Sequence, residues 1–288
     1  MIIKPLIDKK IVYTNSDEPL EIVFTEDKIK DIHKYEITTP GKYQGKKGGV
    51  TAVTGFKDKS SMLMPWAVNT GLEKIRDNYT YYDELRADVF YELTETDLES
   101  VRVAHYAKKD RAGDIGTKVH HWIENHLKGV DLPLDDDMIP SVEGFLRWEQ
   151  QSGIETMFSE RTVYSKKYDF AGRLDWGGIK DGKYGLIDWK TGNCDEEYKP
   201  YAPPEYVKKI RAKTDNIIQN AGYDVAIAEE DGKKAEFFGV LYIPVTGKPE
   251  YFESTETEIA RDAFTTTLLA KRNWATLTLT NKYREPTN

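Results

Sequence analysis

The stretch FAGRLDWGGIKDGKYGLIDWKTG, residues 170–192, reads as two strands that form a hairpin. Residues 184–190, YGLIDWK, alternate with the period of a half-buried strand. Residues 172–176, GRLDW, indicate a second strand, and the DGK sequence between the two predicts a tight turn. Because the two strands then pair side by side, Asp175 is expected to lie beside Asp188.

The predicted hairpin places acidic and basic side chains together. Asp188 and Lys190 fall on one face of their strand, about 6.5 to 7 Å apart, since side chains alternate between the faces. Two converging carboxylates raise each other's pKa, and a divalent cation removes that cost. Oxygen ligands suit Mg²⁺ or Mn²⁺, which also bind phosphate oxygens. The alternative is a surface hairpin with solvated charges or a weak salt bridge, and the hairpin alone leaves both open.

The length of 288 residues is sufficient for one large domain or two modest ones. We expect a core at residues 101–288 that ends in a helix, and an N-terminal extension at residues 1–100 that packs on it. The extension contains strand-like runs, helices and a basic loop, GKYQGKKGG, at residues 41–49. No apolar run approaches the roughly 20 residues of a membrane span, and the N-terminal residues lack a signal-peptide pattern. We therefore expect a cytoplasmic protein.

Cysteine content and charge exclude several classes of protein. Cys194 is the only cysteine, which excludes intramolecular disulfides, cysteine zinc sites and iron–sulfur clusters held by cysteine alone. The net charge of −8 has the wrong sign for a protein that coats nucleic acid, although it is compatible with a local channel. Each basic cluster, taken singly, is best explained as a solvated surface: Lys42/Lys46/Lys47, Lys57/Lys59, Lys108/Lys109/Arg111, Lys166/Lys167 and Lys208/Lys209/Arg211/Lys213.

Residues 112–129, AGDIGTKVHHWIENHLKG, predict a helix that begins at an N-cap, Asp114. On a helical projection His120 and Glu124 fall at the edge of the apolar face, from which they can reach a neighbouring sheet. Gly116 lies within that face, which indicates a close approach between helix and sheet. A histidine in such a position is more often structural than a ligand, so the helix alone does not assign His120 a role.

The remaining pattern alternates strands and helices. A helix at residues 205–229 places Gln219 and Tyr223 one turn apart at the edge of its apolar face. Strands are further predicted at residues 11–13, 21–24, 158–164, 235–244 and 248–253, and helices at residues 62–78, 83–98, 141–151 and 258–277.

Several short motifs together resemble a known family. They are GTKVHHWIE (116–124), SERTVY (159–164), GRLD (172–175), IDWKTG (187–192) and QNAGY (219–223). In this order they resemble the PD-(D/E)XK nuclease superfamily, and within it the RecB and lambda-exonuclease-like branch. Each motif alone is weak, but the series covers roughly residues 116–244. The preceding residues 49–75 look similar to the N-terminal part of phage-encoded members.

The resemblance implies an α/β (α+β) fold with a PD-(D/E)XK restriction-endonuclease-like core. In that core a central mixed β-sheet is flanked by helices in the order αβββαβ, here with an N-terminal strand and helix extension. Leu174 stands where the superfamily name has proline, which is usual in this branch. Relatives linked to helicases or to CRISPR adaptation add a cysteine-bound iron–sulfur cluster, which the single cysteine excludes here.

The resemblance also implies roles for individual residues. Asp175, Asp188 and Lys190 match the catalytic residues, and Lys190 is expected to orient or help deprotonate the attacking water. The implied metal ligands are His120, Asp175, Asp188 and the backbone carbonyl of Trp189. Gln219 and Tyr223 match a motif that contacts DNA near the scissile phosphate. The secondary candidates are Glu124, Glu160 and Thr191.

The expected activity is a divalent-metal-dependent deoxyribonuclease that uses one or two Mg²⁺ or Mn²⁺ ions. An exonuclease is favoured, since the histidine and Gln/Tyr motifs are those of the end-processing branch. The alternatives are an endonuclease on the same core and a non-catalytic DNA-binding or partner-binding module. The resemblance further implies phage DNA recombination, repair or degradation in a host cytoplasm. It implies a single-strand annealing protein as a partner, and the acidic charge adds a homo-oligomeric ring as a hypothesis.

Overall fold

The computed structural model describes residues 6–12, 20–27, 32–56, 60–83, 88–191, 204–245 and 248–280. Cys194 and the basic pair Lys57/Lys59 lie outside these ranges, as do the side chains of the cluster at residues 208–213. No helix within the described ranges is both long and apolar enough to cross a membrane.

Strands and helices alternate along the chain. The strands are β1 Leu6–Val12, β2 Leu20–Asp27, β3 Ile32–Ile37, β4 Gly45–Gly49, β5 Thr80–Asp83, β6 Asp88–Tyr91, β7 Glu155–Ser165, β8 Phe170–Lys180, β9 Lys183–Lys190, β10 Phe237–Tyr242 and β11 Glu250–Ser254. The helices are α1 Val50–Thr54, α2 Ser60–Asn78, α3 Glu95–Arg102, α4 Ala104–Leu127, α5 Ile139–Ser152, α6 Pro204–Asp231 and α7 Thr257–Thr280.

Nine of the described strands form one mixed sheet in the order β1-β2-β3-β4-β8-β9-β10-β11, with β7 paired to β8. The pairs β4–β8 and β9–β10 are parallel, and the other pairs are antiparallel. The order of α5, β7, β8, β9, α6 and β10 is the expected αβββαβ. The predicted α/β fold, a central mixed sheet flanked by helices, is therefore confirmed.

Helices cover both faces of the sheet. On β9, Leu186 packs into a cluster with α6 and α7, whereas Ile187 and Trp189 pack into a second cluster with α4 and α5. This alternation is the one that a strand buried on both faces requires. The end of β9 therefore lies between α4 on one side and α6 on the other.

The β8–β9 hairpin has the predicted turn. Asp181 and Gly182 connect the strands with φ angles of 50° and 75°, the left-handed pair that a two-residue turn needs to match strand twist. The antiparallel register aligns Trp176 with Ile187, so the next residues along each strand are Asp175 and Asp188. The turn thus fixes which two aspartates meet.

One predicted helix and the predicted start of another are wrong. The helix expected at residues 83–98 is instead the β5–β6 hairpin followed by α3, because the aromatic and β-branched residues of TYYD and DVFY favour strands. A capping box at Thr94 begins α3 only at Glu95. Helix α4 begins at Ala104 rather than after Asp114, since its first half packs against α2 and α3.

Part of the predicted basic loop is also a strand. Residues Gly45–Gly49 form β4, which pairs with β3 on one side and with β8 on the other. Hydrogen bonds between strands are made by the backbone and do not depend on side chains. A segment whose composition is typical of a loop can therefore pair with the exposed edge of a neighbouring strand. The N-terminal strands thereby continue the central sheet, and the domain boundary at residue 100 stays a prediction.

A glycine-to-alanine pair tests the packing of α6 on α7. A Cβ at Gly222 would lie 2.5 Å from Cε2 of the fully buried Phe264, whereas one at Gly113 of α4 would meet nothing within 4 Å. Overpacking of this kind costs about 1–3 kcal/mol, while alanine in an open helical site gains up to about 1 kcal/mol. Gly222→Ala should lower the melting temperature and Gly113→Ala should not. Equal melting temperatures would contradict the close packing.

Candidate active site

An open cavity of about 300 Å³ lies where α4 and α6 meet the middle of β7 and β8 and the C-terminal end of β9. Strands β2 and β3 form a further wall, with Glu26, His33 and Tyr35. The predicted site residues that line it are His120, Glu124, Glu160, Asp175, Asp188, Lys190, Thr191, Gln219 and Tyr223. The structure thus brings together side chains that are up to about a hundred positions apart in the sequence.

Three of these residues form a candidate metal site. Ligand atoms of His120, Glu160 and Asp175 all lie within 4.8 Å of one another. Nδ1 of His120 is 3.7 Å from Oδ1 of Asp175 and 4.0 Å from Oε1 of Glu160. Two carboxylates and an imidazole are a donor set that suits Mg²⁺ or Mn²⁺. Glu160, a secondary candidate in the sequence, is therefore a member of the cluster.

The backbone of Glu160 is unusual. Its φ angle is +50° within strand β7, a left-handed conformation that costs a non-glycine residue roughly 1–2 kcal/mol. The neighbouring Arg161 points away to Glu230 and Asp231 at the end of α6, whereas Glu160 lines the cavity. Strained residues of this kind concentrate at functional sites, and the strand register places this one opposite Asp175 of β8.

The cluster is electrostatically costly without a cation. Burial and then the neighbouring Asp175 raise the pKa of Glu160 to about 8, and burial also raises the pKa of Asp175. Burial and the Lys190 charge lower the pKa of His120 to about 4, so its imidazole is neutral at pH 7. A neutral imidazole has the lone pair that a metal ligand needs, and a divalent cation would offset the repulsion between the carboxylates.

Asp188 lies beside this cluster rather than within it. Its side chain is 1% exposed, Oδ2 is 2.6 Å from Nζ of Lys190, and Oδ1 accepts a hydrogen bond of 3.0 Å from Gln219. Burial raises the pKa of Asp188 to about 6 although Lys190 opposes the rise. For Lys190, burial lowers the pKa, but Asp188 and Asp175 outweigh it, and the net pKa is raised. Lys190 is therefore a charged ammonium at neutral pH.

The main chain of Trp189 lies next to the metal cluster. Its amide donates a 2.7 Å hydrogen bond to Oδ2 of Asp175, and its backbone also hydrogen-bonds His120. The indole is buried against Phe145 and Trp148. The predicted role of the Trp189 carbonyl as a ligand stays a prediction, but its backbone lies next to two residues of the cluster.

Gln219 and Tyr223 are buried rather than presented to solvent. Nε2 of Gln219 donates to Oδ1 of Asp188 and, at 2.8 Å, to the hydroxyl of Tyr223. Burial raises the pKa of Tyr223 well above its ordinary value, so the hydroxyl keeps its proton. In this structure the pair holds Asp188, and contact with DNA stays a prediction.

Arg173 is a cavity residue that the sequence reasoning missed. Its Nε donates to Oε2 of Glu160 at 2.8 Å and its Nη2 to Glu124 at 3.4 Å, and its guanidinium lies over the Phe24 ring. Glu124, a secondary candidate, is also paired with Lys128. The available signal was the spacing of GRLD, which puts Arg173 on the same strand face as Asp175.

The close helix-to-sheet approach predicted at Gly116 is confirmed. A Cβ there would lie 2.6 Å from Oγ1 of Thr191. Only a glycine lets α4 come this near to the end of β9, and the approach brings His120, one turn further along α4, to the cavity. Thr191 itself lines the cavity.

The fold and the cavity define an α/β protein with a candidate divalent-cation site made of two carboxylates and a histidine. No known family profile matches the sequence, and no curated protein matches it. Among solved structures, it is similar to a "Putative exonuclease" from Eubacterium rectale, with 11% identity and a TM-score of 0.36 over 54% of this chain and 63% of that one. The chain thus spans less than two thirds of that protein.

A second solved structure, that of SSO0001, is 17% identical with a TM-score of 0.28 over 73% of this chain and 88% of that one. Neither likeness assigns an activity to this chain, so its function rests on the cavity.

Proposed function

We propose that this protein is a divalent-metal-dependent DNA exonuclease, which hydrolyses phosphodiester bonds from DNA ends. The observation that carries the proposal is the juxtaposition of the His120, Glu160 and Asp175 cluster with the ammonium of Lys190 in one open cavity. A site for a hard cation beside a fixed positive charge suits attack on a phosphate diester. The described residues form one such cluster, so at least one ion is proposed.

A bound Mg²⁺ or Mn²⁺ would supply a water of lowered pKa and would neutralise charge on the reacting phosphate. Asp175 and Glu160 provide the negative charge that holds the cation, and neutral His120 provides a nitrogen ligand. Lys190 presents its ammonium to the cavity, where it can hydrogen-bond the attacking water or a phosphate oxygen. Asp188 fixes that ammonium, and Gln219 fixes Asp188 in turn.

The preference for DNA ends rests on the resemblance of the His120 and Gln219/Tyr223 motifs to those of end-processing nucleases. A role in phage DNA recombination, repair or degradation, with a single-strand annealing partner, follows from the same resemblance. An enclosed channel in a homo-oligomer would reconcile DNA binding with the net charge of −8.

The test uses end-labelled linear duplex, end-labelled single strands and closed circular plasmid, each with Mg²⁺, Mn²⁺ or EDTA. Metal-dependent loss of linear DNA with the circle intact is expected, and the position of the label gives the polarity. Cutting of the closed circle would establish an endonuclease instead. Binding without cleavage in either metal would establish a non-catalytic module and overturn the proposal.

Lys190→Met is expected to reduce cleavage about 100-fold to 1,000-fold, the usual effect of removing one preorganised donor. Metal binding should persist, because Lys190 is outside the ligand cluster. Single-turnover cleavage and Mn²⁺ binding by electron paramagnetic resonance measure the two effects. Lys180→Met is the matched control, since Lys180 is also paired with an aspartate on this hairpin, at its distal end. Full activity in Lys190→Met would refute the assignment.

A further inference from the structure

Two basic clusters that are separate in the sequence meet in the structure. Nζ of Lys42, in the β3–β4 connection, lies 5.3 Å from the centre of the Tyr43 ring. Nζ of Lys166, in the β7–β8 turn, lies 5.2 Å from the same ring. Each cluster alone is explained by a solvated surface, but their convergence on one aromatic ring requires a different explanation.

Neighbouring residues enlarge this positive surface. Lys167 lies 4.9 Å from the centre of the Tyr168 ring, and Arg272 of α7 donates to the backbone carbonyls of Tyr168 and Asp169. We name the surface formed by Lys42, Tyr43, Lys166, Lys167, Tyr168 and Arg272 the Tyr43 patch. Three chain segments thus contribute four cations and two aromatic rings to it.

Two carboxylates near this surface, Asp169 and Glu229, are hydrogen-bonded within the protein. Asp169 pairs with Nζ of Lys47 at 2.7 Å and accepts a hydrogen bond from the hydroxyl of Tyr164. Glu229 accepts from the Ser165 hydroxyl and from the backbone amide of Lys167. Together with Lys47, the four cations of the patch outnumber these two carboxylates, which gives the surface a local positive excess in a chain whose net charge is −8. Such a local positive excess matches the phosphate backbone of nucleic acid.

The patch and the cavity share one hydrophobic cluster. Tyr43 packs against a buried group that includes Phe24 and Tyr35, and both of these also line the cavity. Along β7, Glu160 of the candidate metal site and Ser165 at the edge of the patch are five residues apart, or about 17 Å. One DNA strand covers that distance in about five base pairs.

We propose that the Tyr43 patch binds the phosphate backbone of duplex DNA about half a helical turn from the bond that is cut. The choice of DNA as the ligand rests on the proposed function, whereas the patch itself rests on the contacts above. Binding of this kind is independent of base sequence and sensitive to salt, because it releases counterions.

The test measures binding of a labelled 24-base-pair duplex in EDTA, with Asp175→Asn as the background so that cleavage plays no part. Lys42→Gln combined with Lys167→Gln should weaken binding roughly tenfold near 0.1 M salt and reduce the slope of log affinity against log salt by about two. Both lysines are exposed, so folding should be preserved.

The matched control is Lys233→Gln combined with Lys234→Gln. Lys233 is also exposed and lies 4.0 Å from a tyrosine ring, that of Tyr184. Tyr184 pairs with Ile179 of β8, nine residues and about 30 Å from the patch end of that strand. This control should bind DNA with the same affinity as the Asp175→Asn protein that carries no lysine substitution.

DNA binding that is weakened equally in both double variants, or in neither, would overturn the proposal that the Tyr43 patch binds DNA. Weakening confined to the patch variant supports DNA binding by the Tyr43 patch. If the wild type at the same time cleaves no DNA with any metal, only the proposed function is overturned. Absence of any DNA binding by the background protein would overturn the patch proposal, and wild-type cleavage then decides the proposed function separately.

Discussion

Replacing Asp175 with asparagine is expected to abolish metal-dependent DNA cleavage while leaving the metal-free protein at least as stable as the wild type. The asparagine carbonyl can still accept the hydrogen bond from the Trp189 amide that Oδ2 of Asp175 accepts. The change removes a negative charge that raises the pKa of Glu160, so it relieves a repulsion within the cavity. Function and stability should therefore move in different directions.

The expected loss of activity is about a thousandfold or more, because a bound metal ion contributes several kcal/mol to transition-state stabilisation. Melting curves with and without Mn²⁺ provide the second measurement. A ligand at 100 times its Kd stabilises the folded state by about 2.7 kcal/mol, and this gain should be present in the wild type and lost in Asp175→Asn.

Asp181→Asn is the matched control, since Asp181 is an exposed aspartate in the turn of the same hairpin. It should keep both cleavage and the Mn²⁺ response. The assignment fails if Asp175→Asn retains wild-type cleavage, or if Mn²⁺ stabilises it as much as it stabilises the wild type. A variant that melts well below the wild type without metal would instead show that Asp175 is structural.

The β8–β9 hairpin was predictable because its determinants are local. The Asp181-Gly182 turn and the alternation along β9 fix the register, and the register puts Asp175 beside Asp188. The approach of α4 through Gly116 was predictable for a similar reason, since a helical projection shows which residues share a face. Local sequence patterns were sufficient to predict a contact wherever a single turn or a single helix face determines which residues meet.

The composition of the cluster depends on features that a local pattern does not contain. Glu160 has a left-handed φ angle within a strand, and glutamate is not among the residue types, such as glycine, asparagine and aspartate, that favour such a conformation. Asp188 meets Gln219 only through the placement of α6 against β9. Likewise, β4 joins the central sheet through an edge of β8, which lies far along the chain. These contacts are set by tertiary packing.

The largest expected loss of stability lies away from the cavity, where Asp224 of α6 meets Arg261 of α7. Nε of Arg261 is 2.6 Å from Oδ2 of Asp224, and both side chains are buried. Arg261 also donates to the carbonyl of Ala235, and Asp224 accepts from the amide of the same residue. The pair therefore joins two helices and the segment that leads into β10.

Arg261→Met should destabilise the protein by about 3–5 kcal/mol, because it leaves a buried carboxylate without its counter-ion. For a protein of this size that is a fall in Tm of roughly 10 °C. The control Arg102→Met removes an arginine that makes a similar two-bond contact with Glu99 on the exposed surface of α3. It should leave the melting temperature unchanged.

The pH dependence of the Arg261→Met variant gives an independent check. Burial already raises the pKa of Asp224 although Arg261 opposes the rise, so removing the arginine raises that pKa further. The folded state then binds a proton that the unfolded state releases above about pH 3.9. Stability should consequently fall as the pH rises from 4.5 to 7, more steeply in the variant than in the wild type. A destabilisation that does not change with pH would mean that lost packing, not the unpaired Asp224 carboxylate, causes it.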